Sequence, residues 1–281
     1  MSTALRTRVG ALPAAQLAYR GAVAGRLAAE RWALALRRRP GGTTRGRILA
    51  YHSVGTPSWG VNDVRPRDFE RHLQVAVDDG WTFTTPAGVL ADPGRRQLAL
   101  TFDDGAASVL THAAPVLRHH GVPAIAFVVT GWADGGHPDG AADVLDWAGL
   151  AQLEAAGVTL ASHSVTHPDF GRLGAGETQR ELAGSRRRME QVLGRPVDEF
   201  AIPFGQSRNW TDAAGRAAAD AGYTTVFAQA VDTRPPGTVP RTFITRIDRP
   251  AVFRAALAGA FDGWEEWYLP APDPQPLPGT P

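Results

Sequence analysis

Four short segments of this chain carry side chains able to bind a cation, move a proton or steady a negative charge. The run Leu98-Ala99-Leu100-Thr101-Phe102 leads into Asp103-Asp104-Gly105, two adjacent carboxylates ahead of a residue that permits a tight turn. On a turning backbone the two can divide the work. One binds a cation and the other stays free as a base, its basicity lowered by the nearby positive charge. The same residues also suit a turn with an Asx cap ahead of a helix. In Ser162-His163-Ser164-Val165-Thr166-His167 two imidazoles lie four residues apart. On a helical turn such positions face the same way and share one metal ion. Two His and one carboxylate would leave coordination positions open for water and a substrate oxygen. A capping histidine beside a surface one is the plainer alternative. Phe200-Ala201-Ile202-Pro203-Phe204-Gly205 ends in a Pro and Gly turn that can aim the Phe204 backbone N–H at a developing oxyanion. Finally, Tyr51-His52 closes the first apolar run; alone His52 reads as a core or rim residue, and beside a metal as a proton donor.

These segments share a position relative to the elements that must hold them. Short β-branched or apolar runs predict strands over 47–51, 81–83, 98–102, 124–129, 158–161, 200–202, 224–227 and 242–247. Helical patterns fall between them over 66–79, 106–120, 147–156, 177–193, 211–221 and 250–260. Such βα alternation predicts a parallel sheet covered by helices, most simply one barrel. In that architecture chemistry takes place at the carboxyl ends of the strands. All four segments lie immediately after a predicted strand, and this coincidence carries more weight than any of them alone.

Composition narrows the function classes. The 281 residues suit either two domains or a single barrel, and 43% apolar content excludes wholesale disorder. With no Cys, disulfides, thiolate metal sites and a Cys nucleophile are excluded, so any metal must use His and carboxylates. All 29 basic residues are Arg. Residues 1–47 hold ten of them against one acid, Glu30, for a net charge of +9, whereas the remainder, with 19 Arg and 27 acids, carries −8. Nucleic acid is not the expected partner, because only Tyr19 and Trp32 accompany this basic arm and no nucleic-acid module follows it. Residues 1–46 read as an Ala- and Arg-rich helical extension, with Pro13 in the first turn of a helix running to about Leu36. It would lie as an amphipathic helix on an anionic membrane surface or pack on the domain. Arg6 and Arg8 ahead of 9–19, with Ala22-Val23-Ala24, have the outline of a secretory leader that Pro13, Gln16 and Arg20 interrupt. A cytoplasmic or membrane-peripheral location is therefore expected ahead of secretion, and no transmembrane span is expected. The barrel is expected over 47–262, and 263–281 as a Pro-rich tail, extended and mobile from Pro270. In the loop 131–146, Trp132 and His137, with Trp147 beside it, would form either a sugar-stacking platform or a packed lid.

Taken together, Thr101-Phe102-Asp103-Asp104-Gly105, His163-Ser164-Val165-Thr166-His167 and Pro203-Phe204-Gly205 resemble the motifs of the polysaccharide deacetylases, the NodB-homology carbohydrate esterases of family 4, over about residues 47–250. That resemblance implies a distorted (β/α)7 barrel and a divalent metal, Zn²⁺ in many members, that activates water to remove N-acetyl groups from amino sugars. By position it implies Asp103 as general base, Asp104, His163 and His167 as metal ligands, and the Phe204 amide as part of the oxyanion hole. Co²⁺, Ni²⁺ and Fe²⁺ suit the same ligands.

Two departures accompany the resemblance. The third motif of the family usually begins with an Arg that orients the base, and here that position is Ala201. Its Phe-Ala-x-Pro-Phe-Gly form resembles the branch acting on exopolysaccharides such as poly-N-acetylglucosamine. Arg246, in Ile244-Thr245-Arg246-Ile247-Asp248, is the expected substitute. The late Leu-x-His of the family is absent, since no His follows His167; in the exopolysaccharide branch an early Tyr-His supplies the acid, which assigns that role to His52. The implied substrate is an N-acetylated glycan or glycolipid. Rivals are an esterase or amidase with another acyl substrate and a non-catalytic carbohydrate-binding descendant. A glycosidase needs two carboxylates on separate strand ends, and adjacent Asp103 and Asp104 suit it badly.

Overall fold

Strands and helices alternate along the chain in the order that the apolar patterning predicts. The computed structural model describes residues 14–37, 45–137 and 143–265. Its elements are α1 (Ala14–Leu36), β1 (Arg47–Tyr51), β2 (Ser53–Val54), β3 (Asp63–Val64), α2 (Pro66–Asp78), β4 (Thr82–Phe83), α3 (Pro86–Ala91) and β5 (Gln97–Phe102). A π-helical turn at Val109–Ala113 then runs into α4 (Ala114–His120), followed by β6 (Ala124–Val128), α5 (Thr130–Ala133), α6 (Trp147–Ala155) and β7 (Val158–Ser162). The remainder is α7 (Ala175–Leu193), β8 (Glu199–Ala201), α8 (Asp212–Ala221), β9 (Thr225–Phe227), β10 (Thr242–Phe243) and α9 (Pro250–Leu257). Proline opens α2, α3 and α9, where its missing N–H costs nothing. Side chains of Thr85, Asp146 and Thr211 cap α3, α6 and α8.

The main sheet is parallel throughout its paired strands, in the order β10-β1-β5-β6-β7-β8-β9, with β4 added against β5. It curls into an incomplete barrel, in keeping with the distorted barrel that the resemblance implies. Val239 bridges Phe227 across the gap between β9 and β10.

Two-residue periodicity sorts the side chains. Leu98, Leu100 and Phe102 of β5 join the layer between sheet and helices, whereas Ala99 belongs to an inner cluster with Ile48, Ile125, Phe127, Ala161, Ala201 and Phe227. The inner positions are small at 99, 161 and 201, which leaves room inside the barrel. Continuing the inward face one step past each strand places Asp103, His163 and His52 at the same end.

The body extends beyond residues 47–262 at both ends. First, the second half of α1 packs on the domain, one of the two placements expected for it. Leu27 is buried, and the Arg31 guanidinium, fully buried, forms a bidentate pair with Asp248 at 2.6 Å and donates to the Phe243 carbonyl at 2.9 Å. The guanidinium also lies 4.1 Å over the Phe261 ring. Second, the body continues past Asp262: Trp264 packs against the core, and Glu265 accepts from the Ser207 hydroxyl at 2.9 Å. The expectations for Pro13 and for the Pro-rich tail from Pro270 lie outside the described residues. No described helix is long and apolar enough to cross a membrane.

The Arg31–Asp248 pair makes a stability prediction. Removing one partner of a buried ion pair strands the other charge in low dielectric. Arg31→Ala is expected to lower unfolding free energy by about 3 kcal/mol. An Arg31→Met/Asp248→Asn double variant should recover part of that loss in urea unfolding, because no buried charge is then left unpaired.

Candidate active site

Each candidate side chain enters the site from the carboxyl end of a strand, and the backbone there is bent to aim it. Among the described residues, the non-glycine residues in the left-handed region are Asp104 (φ 71°), Ser164 (71°), His167 (61°) and Phe204 (62°). All four belong to the motifs singled out by sequence. Such conformations cost on the order of 1–3 kcal/mol each and persist where the surroundings enforce them, a pattern that marks functional sites.

After β5, Asp103 stays on the inward face, its amide donating to the Tyr51 carbonyl at 2.9 Å. The turn at Asp104 then swings the second carboxylate toward the end of β7. There Asp104 Oδ1 lies 3.4 Å from His163 Nε2 and 3.4 Å from His167 Nε2, and the three residues offer ligand atoms all within 4.8 Å of one another. His52 Nε2 stands 4.0 Å from Asp104 Oδ2, with the edge of the Phe243 ring against its imidazole at 5.4 Å.

The two imidazoles converge without a helix. Residues 163–167 form an irregular loop in place of the expected helical turn, and the left-handed residues 164 and 167 supply the turning. Glu181 of α7 pins this loop, accepting from the Val165 and Thr166 amides at 2.8 and 2.9 Å and from the Thr166 hydroxyl at 2.7 Å. His163 Nδ1 donates to the Ala201 carbonyl at 2.8 Å, which leaves Nε2 facing Asp104. Ala201 thus takes part through its backbone.

The third motif forms the opposite wall. Phe204 stands with its ring 4.7 Å from that of His167. The Gly205 carbonyl accepts from the Gln229 amide at 2.6 Å. At φ 68° a Cβ on Gly205 would lie 2.4 Å from that of Gln229, so only glycine fits this pinned turn.

The contact with Asp103 expected of Arg246 is made instead by Arg241. Arg246 is exposed and, among the described residues, its side chain reaches the Gly60 carbonyl at 3.5 Å rather than Asp103. Arg241, 1% exposed, threads the inner cluster: its guanidinium crosses the Phe127 ring at 5.1 Å and donates to both Asp103 oxygens at 2.6 and 2.9 Å. It also bonds Thr101 Oγ1 at 3.1 Å and the Ala228 carbonyl at 3.1 Å. The reason for the difference is the length of β10. The strand was expected over 242–247, which put Arg246 near its carboxyl end; it spans only two residues, because Asp248 turns the chain by accepting from the Thr245 amide at 2.8 Å. The available signal was an Arg directly before a short strand whose barrel interior is lined by alanines.

Electrostatics separates the two carboxylates. Burial opposes the charge on Asp103, yet Arg241 and the neighbouring imidazoles outweigh it and hold the carboxyl below its usual range. Asp104 is likewise buried, and His167, His163 and His52 hold it well below that range. Burial depresses His167 to about 4 against the pull of Asp104, so its ring is neutral near pH 7. For His163 burial also works against protonation, but Asp104 and Asp103 prevail and raise it. Asp104 Oδ1 is buried with no hydrogen-bond partner among the described residues. An orphaned carboxylate oxygen facing two imidazole nitrogens fits a divalent cation with N and O ligands, such as Zn²⁺.

Of the expected platform, Trp132 lies at the rim, its ring 5.4 Å from that of His167 and 4.6 Å from that of His137. Trp147 is tied elsewhere: its Nε1 donates to Asp134 at 2.7 Å, and Arg188 stacks on its ring at 5.3 Å.

Comparison with known proteins matches residues 91–226 to the family described as polysaccharide deacetylase. YxkH of Bacillus subtilis is 26% identical over 165 residues, covering 57% of this chain and 56% of that protein. The chain therefore aligns with little more than half the length of this curated relative. Among solved structures, the Streptococcus pyogenes deacetylase PplD in complex with acetate superposes with a TM-score of 0.64 at 22% identity, over 76% of this chain and 98% of the other. IcaB from Ammonifex degensii gives a TM-score of 0.64 at 23% identity, over 76% and 97%. Both share the fold of the present chain.

Proposed function

From the match of residues 91–226 to the polysaccharide deacetylase family, we propose that this protein hydrolyses N-acetyl groups on the amino sugars of a glycan or glycolipid, releasing acetate. The observation that carries the reading is the division of labour between the adjacent carboxylates. Asp104 faces two histidines with an oxygen unsatisfied, while Asp103, beside it, is clamped as an anion by Arg241. A divalent cation held by Asp104, His163 and His167 would supply Lewis acidity toward water and the acetamide carbonyl.

The remaining steps belong to side chains and backbone. Asp103, ionised and oriented, takes a proton from the attacking water. The Phe204 N–H, presented by a left-handed residue between Pro203 and the pinned Gly205, donates to the oxygen as negative charge develops on it. His52 protonates the departing amine; its place beside Asp104 and the restraint of its ring by Phe243 support that role. Trp132 and Phe204 offer aromatic faces flanking His167 on which a pyranose ring can stack. The streptococcal structure of the same fold is described in complex with acetate, the acyl product that the proposed hydrolysis would release.

The test is acetate release from N-acetylglucosamine oligomers by chelator-stripped protein, with Zn²⁺, Co²⁺ or Ni²⁺ restored. Activity absent in the stripped protein and regained with a stoichiometric cation is the expected result. Cation binding without acetate release would turn the assignment toward another acyl substrate. Failure to bind any cation would favour a non-catalytic carbohydrate-binding protein.

A further inference from the structure

The anchored helix α1 presents a second face that none of the described residues covers. Its inward side is committed to the fold through Leu27, Arg31, Leu34 and Ala35. Its outward side carries Ala22, Arg26, Ala29, Trp32, Ala33 and Leu36 at helical spacing, all exposed. Trp32 is 43% and Leu36 79% exposed, so the two largest apolar side chains of this face stand in solvent one turn apart.

Charge tells what such a face can meet. Among the described residues, three of the arginines in 1–47 have acidic partners: Arg26 with Glu30 on the same helix, Arg31 with Asp248 and Arg47 with Asp262. Glu30 is the only acid in that stretch of sequence, so the other seven, at 6, 8, 20, 37, 38, 39 and 45, have no counter-charge within it. The rest of the chain is net negative, which leaves the positive charge concentrated at this end. A second copy would bring like charge against like. A helix with an exposed Trp and Leu stripe among arginines matches a surface that is apolar below and anionic above.

We propose that the outward face of α1 docks on an anionic lipid surface, Trp32 and Leu36 entering the headgroup boundary while the excess arginines of residues 1–47 meet lipid phosphates. The buried Arg31–Asp248 pair holds the helix rigidly to the body, so the whole barrel is held at the surface. Arg31 also bonds the carbonyl of Phe243, whose ring contacts His52, so the docked helix lies beside the strand ends that carry the candidate site. The proposal does not depend on the hydrolytic reading.

The full chain is mixed with sedimentable vesicles of phosphatidylglycerol and phosphatidylcholine, or of phosphatidylcholine alone. Binding to the anionic vesicles only, weakened about tenfold or more by 0.5 M NaCl and by Trp32→Ala/Leu36→Glu, is the expected result. Both substituted positions face outward, and an unchanged thermal unfolding midpoint would show that the variant is folded. Equal binding to neutral vesicles, indifference to salt, or full binding by the variant overturns the proposal. So does a dimer in sedimentation velocity that the variant dissolves, which assigns the face to a second copy. Preferential binding of a DNA duplex over anionic vesicles in competition overturns it as well.

Discussion

Asp103→Asn is expected to reduce acetate release by about 10²–10⁴-fold while leaving cation stoichiometry unchanged, whereas Asp104→Ala should abolish both. The two residues are neighbours in sequence, yet their surroundings give them opposite tasks. Asparagine at 103 keeps the size of the side chain and one acceptor for Arg241 but cannot take a proton. The three atoms that would hold a cation, on Asp104, His163 and His167, are untouched by it. Alanine at 104 removes one of those three ligands and leaves two imidazoles 4.9 Å apart between ring centres without their shared carboxylate. Equilibrium dialysis against Zn²⁺, paired with acetate assays at saturating metal, separates the outcomes. Full activity in Asp103→Asn would remove it as the base, and retained cation binding in Asp104→Ala would remove it as a ligand. A His163→Ala variant should resemble Asp104→Ala, since the Ala201 carbonyl fixes that ring with Nε2 toward the same point.

What could be read from the residues, and what could not, follows from how far each effect reaches along the chain. The strands were legible as short apolar or β-branched runs of a parallel sheet buried on both faces, and the two-residue period then puts Ala99, Thr101 and Asp103 on one face, as it does Ala161 and His163. The cluster of chemistry at one end of the sheet followed directly. The bend that makes the cluster work was not legible. Left-handed φ values at Asp104, Ser164, His167 and Phe204 are enforced by partners distant in sequence, such as Glu181 on the histidine loop and Gln229 on the Phe204 turn. A sequence pattern with i,i+4 spacing suggested a helical turn for His163 and His167, and tertiary contacts produced the same convergence in an irregular loop. The dual nature of α1 was hidden for a similar reason. Among the described side chains of α1, Arg26 is exposed and Arg31 is buried, and only the pairing of Arg31 with Asp248, more than two hundred residues away, sets it apart.

Sequence assigned the contact with Asp103 to Arg246 and passed over Arg241, whose removal is expected to lower stability the most among these variants and to lower turnover as well. Its guanidinium is the counter-charge for a carboxylate that is 1% exposed. With Arg241 present, the folded Asp103 carboxyl lies below its unfolded value of about 3.9. Its contribution to stability is then complete above that pH and lost as pH falls through the folded value. In Arg241→Met the bidentate partner is gone and burial dominates, so the folded carboxyl rises above the unfolded value. The sign reverses: the anion now penalises the folded state at neutral pH, and the penalty is relieved as pH falls toward the unfolded value. Unfolding of the metal-free variant at neutral pH should therefore cost about 3–5 kcal/mol less than for the parent, with the gap narrowing on acidification. An Arg241→Met/Asp103→Asn double variant should regain much of this stability, since it buries no unpaired charge, yet remain inactive. In turnover, Arg241→Met should lower kcat with KM little changed, because Arg241 touches the base through the barrel interior and not the sugar. Arg241→Lys, a point charge in place of a planar fork, should restore stability more fully than activity. If Arg241→Met instead raised KM alone, Arg241 would be acting on substrate binding and the orientation of Asp103 would need another source.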